Sequence, residues 1–121
     1  MSDFQICTLY YRGLGINLPA KRILVASGHT DPTSDSEVSE IIDLTKNNMK
    51  CDQFYDLLAV RWGSVGGFIS NSPVLCGGQD EYGPWADCEV VGNQNKHIMM
   101  SERRASASGV VLNETTLWIV G

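Results

Sequence analysis

One short pattern recurs along this chain: an apolar run that stops at glycine. It appears as Leu24-Val25-Ala26-Ser27-Gly28, as Val74-Leu75-Cys76-Gly77-Gly78, and as Leu117-Trp118-Ile119-Val120-Gly121. The first two ends lie 50 residues apart, and Gly77 and Gly121 lie 44 apart. No other feature constrains the fold as strongly. A unit that repeats at such a period cannot bury its apolar face alone and must stack on its neighbour.

The flanking residues repeat as well. Arg61, Ser64, Gly67 and Asn71 align with Arg103, Ser106, Gly109 and Asn113, each 42 residues on, and two extra residues enter after the asparagine. Ser39-Glu40-Ile41-Ile42 aligns with Cys88-Glu89-Val90-Val91 at a spacing of 49. A period of 42 to 50 residues falls in the range of propeller blades. Upstream of Leu24 the match is loose.

Each unit reads as strands. Val110–Val120 is two apolar runs around Asn-Glu-Thr-Thr, and Gly66–Cys76 repeats this around Ser-Asn-Ser-Pro. Both predict hairpins with four-residue loops. The runs are continuous rather than alternating, so both faces of these strands are expected to be buried. Residues 37–46 carry capping residues and could be written as a helix. Their repeat partner is β-branched and ends in Gly92, so they are read as a strand.

Composition narrows the function. At 121 residues and 43% apolar content the chain suits one domain with a filled core. The net charge of −5 argues against nucleic acid and anionic membranes, which are held by basic patches. Residues 1–15 show no signal-peptide pattern, and no apolar stretch is long enough to span a bilayer. Four cysteines (7, 51, 76 and 88) and two histidines in no C-x-x-C arrangement argue against a zinc site.

At Gly77-Gly78, at the approach through Met99, Arg103, Ala107-Ser108 and Leu112, and at the hairpin into Leu117–Gly121, the chain resembles the kelch repeat family. More particularly, it looks like the cysteine-containing kelch-type repeats of invertebrate proteins. The first doublet departs from the pattern as Ser27-Gly28, and Trp85 sits early for the tryptophan that follows a kelch doublet. The resemblance implies an all-β fold of kelch-type β-propeller blades, each a four-stranded antiparallel sheet. Residues 22–121 would form about two blades with a third begun, and residues 1–21 a poorly matching N-terminal segment. Propellers have about 4–8 blades of roughly 40–50 residues, so the smallest ring takes about 160 residues. The chain is therefore expected to be a piece of an incomplete ring, completed by further repeats or by another chain.

Candidate residues fall into three groups. Gly28, Gly77, Gly78 and Gly121 are read as backbone geometry, since no phosphate-binding pattern or helix follows them. Arg61 and Arg103 are expected to bind carbonyls or carboxylates of a neighbouring blade. The loops after the glycine ends carry His29 and Asp31 in one unit and Asp80, Glu81, Tyr82 and Trp85 in the next. They are expected on one rim of the blades, with Tyr82 and Trp85 exposed as anchors for a partner, or with Trp85 packed onto its own blade instead.

Cys76 and Cys88 would lie on neighbouring antiparallel strands close enough for a disulfide. Pairing of Cys51 with either, and buried free thiols, are the alternatives. Asn113-Glu114-Thr115 is a glycosylation sequon on a predicted hairpin tip.

These features point to a non-catalytic protein-interaction module without cofactor or metal. An extracellular repeat stapled by disulfides is the alternative. A propeller enzyme of the copper oxidase type is a more distant one, because it needs converging Tyr, His and Cys ligands. The cysteines and the sequon favour a secreted parent protein over a cytoplasmic adaptor.

Overall fold

The computed structural model describes residues 14–26, 29–31, 34–35, 38–46, 51–58, 61–92 and 96–121. Within these the chain is all-β. Its strands are β1 (Leu14–Leu18), β2 (Arg22–Ala26), β3 (His29–Asp31), β4 (Ser34–Asp35), β5 (Ser39–Asp43), β6 (Cys51–Gln53), β7 (Trp62–Ile69), β8 (Ser72–Asp80), β9 (Gly83–Val90), β10 (Lys96–Arg104), β11 (Ser108–Asn113) and β12 (Thr116–Val120).

Two four-stranded antiparallel sheets, β1-β2-β5-β6 and β7-β8-β9-β10, form successive blades, and β11-β12 opens a third. None of these sheets closes on itself. β3 and β4 make a small hairpin of their own. Residues 14–21, which the repeat pattern leaves in the N-terminal segment, supply β1 and its turn. The capped stretch near residue 40 is a strand, β5, as its repeat partner requires.

The blades stack face to face, and this explains the continuous apolar runs. Along β8 the side chains alternate between two cores. Leu75 joins Ile16, Leu24, Ala26, Leu57 and Val91 in a cluster shared with the first blade. Val74 and Cys76 join Val65 and Cys88 in a second cluster, against which Leu117 and Ile119 of the third blade pack. A strand with a buried layer on each side has no polar face to offer.

The first strands of the blades pack side by side through small residues. A Cβ at Gly66 would meet the backbone of Val74 and the side chain of Leu14, and one at Gly67 would meet Val111. Larger residues here would hold the blades apart.

The turns are tighter than expected. Ile69 pairs with Ser72, so the β7–β8 loop is Ser70-Asn71 alone, both at positive φ (49° and 62°). A two-residue loop of that hand matches the twist of its strands. Asn113 pairs with Thr116, leaving Glu114-Thr115 as the β11–β12 loop. Here Asn113 Oδ1 accepts from the Thr115 amide and hydroxyl at 2.9 and 3.1 Å. Residues assigned to four-residue loops are thus the last ladder pairs of the strands.

The glycine doublet is not a strand end. β8 runs on to Asp80, and its pairing with β9 shifts register between Cys76 and Gln79. Gly77 and Gly78 form this bulge, at φ 67° and 84°. The strand bends there and resumes.

Candidate functional site

Two constellations stand out, a buried joint and a rim pocket, and β9 contributes to both. Arg61 precedes β7 and is fully buried. Its Nη1 donates to the carbonyls of Gly77 (3.0 Å) and Asp87 (3.3 Å). Its Nη2 donates to Asp87 Oδ2 (2.9 Å) and Glu89 Oε2 (3.2 Å). Both carboxylates are buried, one at each side of Cys88 on β9. Glu89 also accepts from the Leu58 amide through both oxygens, at 3.0 and 3.2 Å, which ties the segment between the blades to the second sheet. Buried charges persist when they are paired and hydrogen-bonded. These partners belong to Arg61's own blade, not to a neighbour, because β8 and β9 pass directly beneath it.

The arginine that corresponds to it is Arg104, one residue on from Arg103. Arg104 Nη1 donates to the Gly121 carbonyl at 2.7 Å, as Arg61 does to Gly77. Gly63 and Ser106, also 43 residues apart, both adopt positive φ (69° and 57°). The Ser106 amide donates to the Gly63 carbonyl at 2.8 Å, joining the two equivalent positions across the blade junction. The spacing is therefore 43 before the hairpin and 44 after it, and the extra residue is absorbed where the β11–β12 register shifts between Val111 and Asn113. Two adjacent arginines hid this step.

Arg103 lines the rim pocket instead. This open cavity of about 470 Å³ is bounded by Asp80, Tyr82, Trp85, Met99 and Arg103, among others. The β8–β9 connection narrows to Glu81-Tyr82, held by Asp80 Oδ1 accepting from the Tyr82 amide at 2.8 Å. Tyr82 is 89% exposed. Trp85 lies on β9 and is half-buried, its ring over the Arg61 guanidinium at 5.4 Å from the centroid. Of the two expected anchors, Tyr82 is free in solvent and Trp85 forms a wall. The wall is backed by the buried joint.

His29 and Asp31 lie on β3, in the connection between the second and third strands of the first blade. That is the position Asp80–Tyr82 holds in the second. Gly28 lies outside the described residues.

Cys76 and Cys88 face each other across β8 and β9 and form a disulfide, with Cα atoms 3.9 Å apart. This excludes the pairings of Cys51 with either. Cys51 is itself disulfide-bonded. In the first blade the corresponding facing pair is Ala26 and Ser39, both fully buried.

Comparison with known proteins places the fold. The chain is similar to the solved structure of YjhT, with a TM-score of 0.76 at 17% identity, over 93% of this chain and 38% of that one. It thus spans well under half the length of its structural neighbour. No family model matches the chain, and no curated protein does. Among the described residues no helix is long and apolar enough to cross a membrane. The likeness and the sheet topology together make the chain a stack of open antiparallel sheets of propeller type, two of them four-stranded blades.

Proposed function

We propose that these are kelch-type blades that act as a non-catalytic protein-interaction module, with the pocket beside Tyr82 as the contact site. The observation that carries this reading is the pocket itself. It sets an exposed tyrosine, a tryptophan wall and the exposed Arg103 around one opening on the rim of a rigid sheet. Tyrosine, tryptophan and arginine are the residues that dominate binding energy at protein interfaces. Asp80 in the lining adds a polar contact of the opposite charge.

The test is a peptide selection. Peptides are selected from a random library on the immobilised chain, and their affinities are measured on the wild type, Tyr82→Ala and Arg103→Ala. Losses of about tenfold or more in both variants, the scale of a hot-spot residue, support the site. Affinities unchanged in both would remove it.

The cysteines carry a second reading, an extracellular repeat stapled by disulfides. The cross-strand Cys76–Cys88 bond fits an oxidising compartment. Alkylation of natively isolated protein without reduction decides this. Cys76 and Cys88 are expected to stay unlabelled, and four labelled thiols would exclude a stapled repeat.

A further inference from the structure

The sequon at Asn113 is a motif that the interaction reading leaves unused. No other asparagine of the chain has serine or threonine two residues on in an Asn-x-Ser/Thr pattern. Asn113, Glu114 and Thr115 form the tip of the β11–β12 hairpin, and all three are exposed. The exposure belongs to the position in the blade. Residues 19–21 at the β1–β2 turn and Ser70-Asn71 at the β7–β8 turn are exposed too, although each of those blades has another packed against it. The Ser70 amide even donates to the Glu114 carbonyl, so neighbouring tips touch and stay open to solvent.

The local geometry suits the chemistry. Asn113 Oδ1 accepts from both the amide and the hydroxyl of Thr115. This is an Asx-turn, closed within three residues. It holds the side-chain carbonyl on the threonine of the sequon, and the amide nitrogen is the atom that takes a sugar. Such a turn needs no other part of the fold, so it can form before the blades are complete.

We propose that Asn113 is the acceptor of an N-linked glycan. The donor is an oligosaccharide carried on a lipid diphosphate. The Asn113 amide nitrogen attacks the anomeric carbon and loses a proton. An N–C bond forms, the C–O bond to the diphosphate breaks, and the lipid diphosphate leaves. The proposal rests on the extracellular reading above.

The topology also says where the glycan sits. β8 starts beside the Ser70-Asn71 tip and ends at Asp80, beside Tyr82. Asn113 shares the end of the blades where β8 starts. The rim pocket lies at the other end, roughly 25 Å away along a nine-residue strand. A glycan on Asn113 therefore covers the face opposite the pocket and leaves Tyr82 and Arg103 open to a partner.

The test expresses the 121-residue chain in eukaryotic cells behind a cleavable secretion signal. Intact mass is read on secreted and retained protein, before and after treatment with a peptide N-glycosidase. One glycan is expected, released by the enzyme to leave aspartate at position 113. Asn113→Gln and Thr115→Ala should abolish it, and Thr115→Ser should keep it. The library-selected peptides of the rim-pocket test should bind the glycosylated chain and Asn113→Gln equally.

A chain without glycan, whose Cys76 and Cys88 nonetheless resist alkylation, would overturn the proposal and leave the extracellular reading standing. Four labelled thiols in natively isolated protein would remove that reading, and the glycan with it. Peptide affinity about tenfold lower on the glycosylated chain, the scale of a hot-spot loss, would overturn the placement of the glycan opposite the pocket.

Discussion

Arg61 shows how one side chain can join sequence, stability and site. It is a cation at zero exposure, held by two carboxylates and two carbonyls, with an indole above it. Arg61→Ala would leave Asp87 and Glu89 buried without their cation. Breaking a buried pair from one side costs about 3–5 kcal/mol, so a loss of that size is expected in urea denaturation. A loss under about 1 kcal/mol, the range of exposed pairs, would mean the joint is not buried in solution.

Gly77 is constrained differently. Its φ of 67° is left-handed, and a Cβ there would strike the Arg104 carbonyl oxygen. Gly77→Ala should cost about 1–2 kcal/mol from the backbone alone, and more from the clash, by the same measurement.

Asp43 carries a surface effect. The Thr45 hydroxyl donates to its carboxylate at 2.6 Å and the Thr45 amide at 2.9 Å, which holds its pKa below the usual value. A depressed carboxylate stabilises the fold above its unfolded pKa, and that contribution is lost as pH falls through the folded pKa. Thr45→Ala should raise the Asp43 pKa in an NMR titration.

At the scale of strands, the repeat carried most of the fold. The spacing that aligns Val74–Cys76 with Leu24–Ala26, and Cys88 with Ser39, is the pairing register of both blades: Ala26 faces Ser39 where Cys76 faces Cys88. That is why the disulfide was readable from two cysteines twelve residues apart. What stayed hidden were steps of one residue. Arg103 and Arg104 are chemically the same in a sequence, and the β-bulge near Leu112 shifts the count without a glycine to mark it. The pocket was legible in part, since Tyr82 lies in a turn, whereas Trp85 and Arg103 meet there through the β9–β10 pairing.

The disulfide offers a direct check. Cys76→Ala with Cys88→Ala should lower stability by about 2–4 kcal/mol. The first blade already tolerates a small, unlinked pair at this place, so the double variant is expected to keep its strands by circular dichroism. Loss of strand signal would contradict that.

At the scale of the whole molecule, the described strands form stacked blades whose layers share β8. β8 pairs on both edges and is buried on both faces. Among the described strands β12 pairs with β11 alone, and it exposes Trp118 and Val120. Amide hydrogen exchange resolved by residue measures this contrast directly, because local opening separates buried central strands from open edges. The slowest amides are expected in β8 and β9, at Leu75, Cys76, Cys88 and Glu89, with β12 exchanging far faster. Equal protection of β12 and β8, or fast exchange throughout β8, would contradict the stacked-blade account.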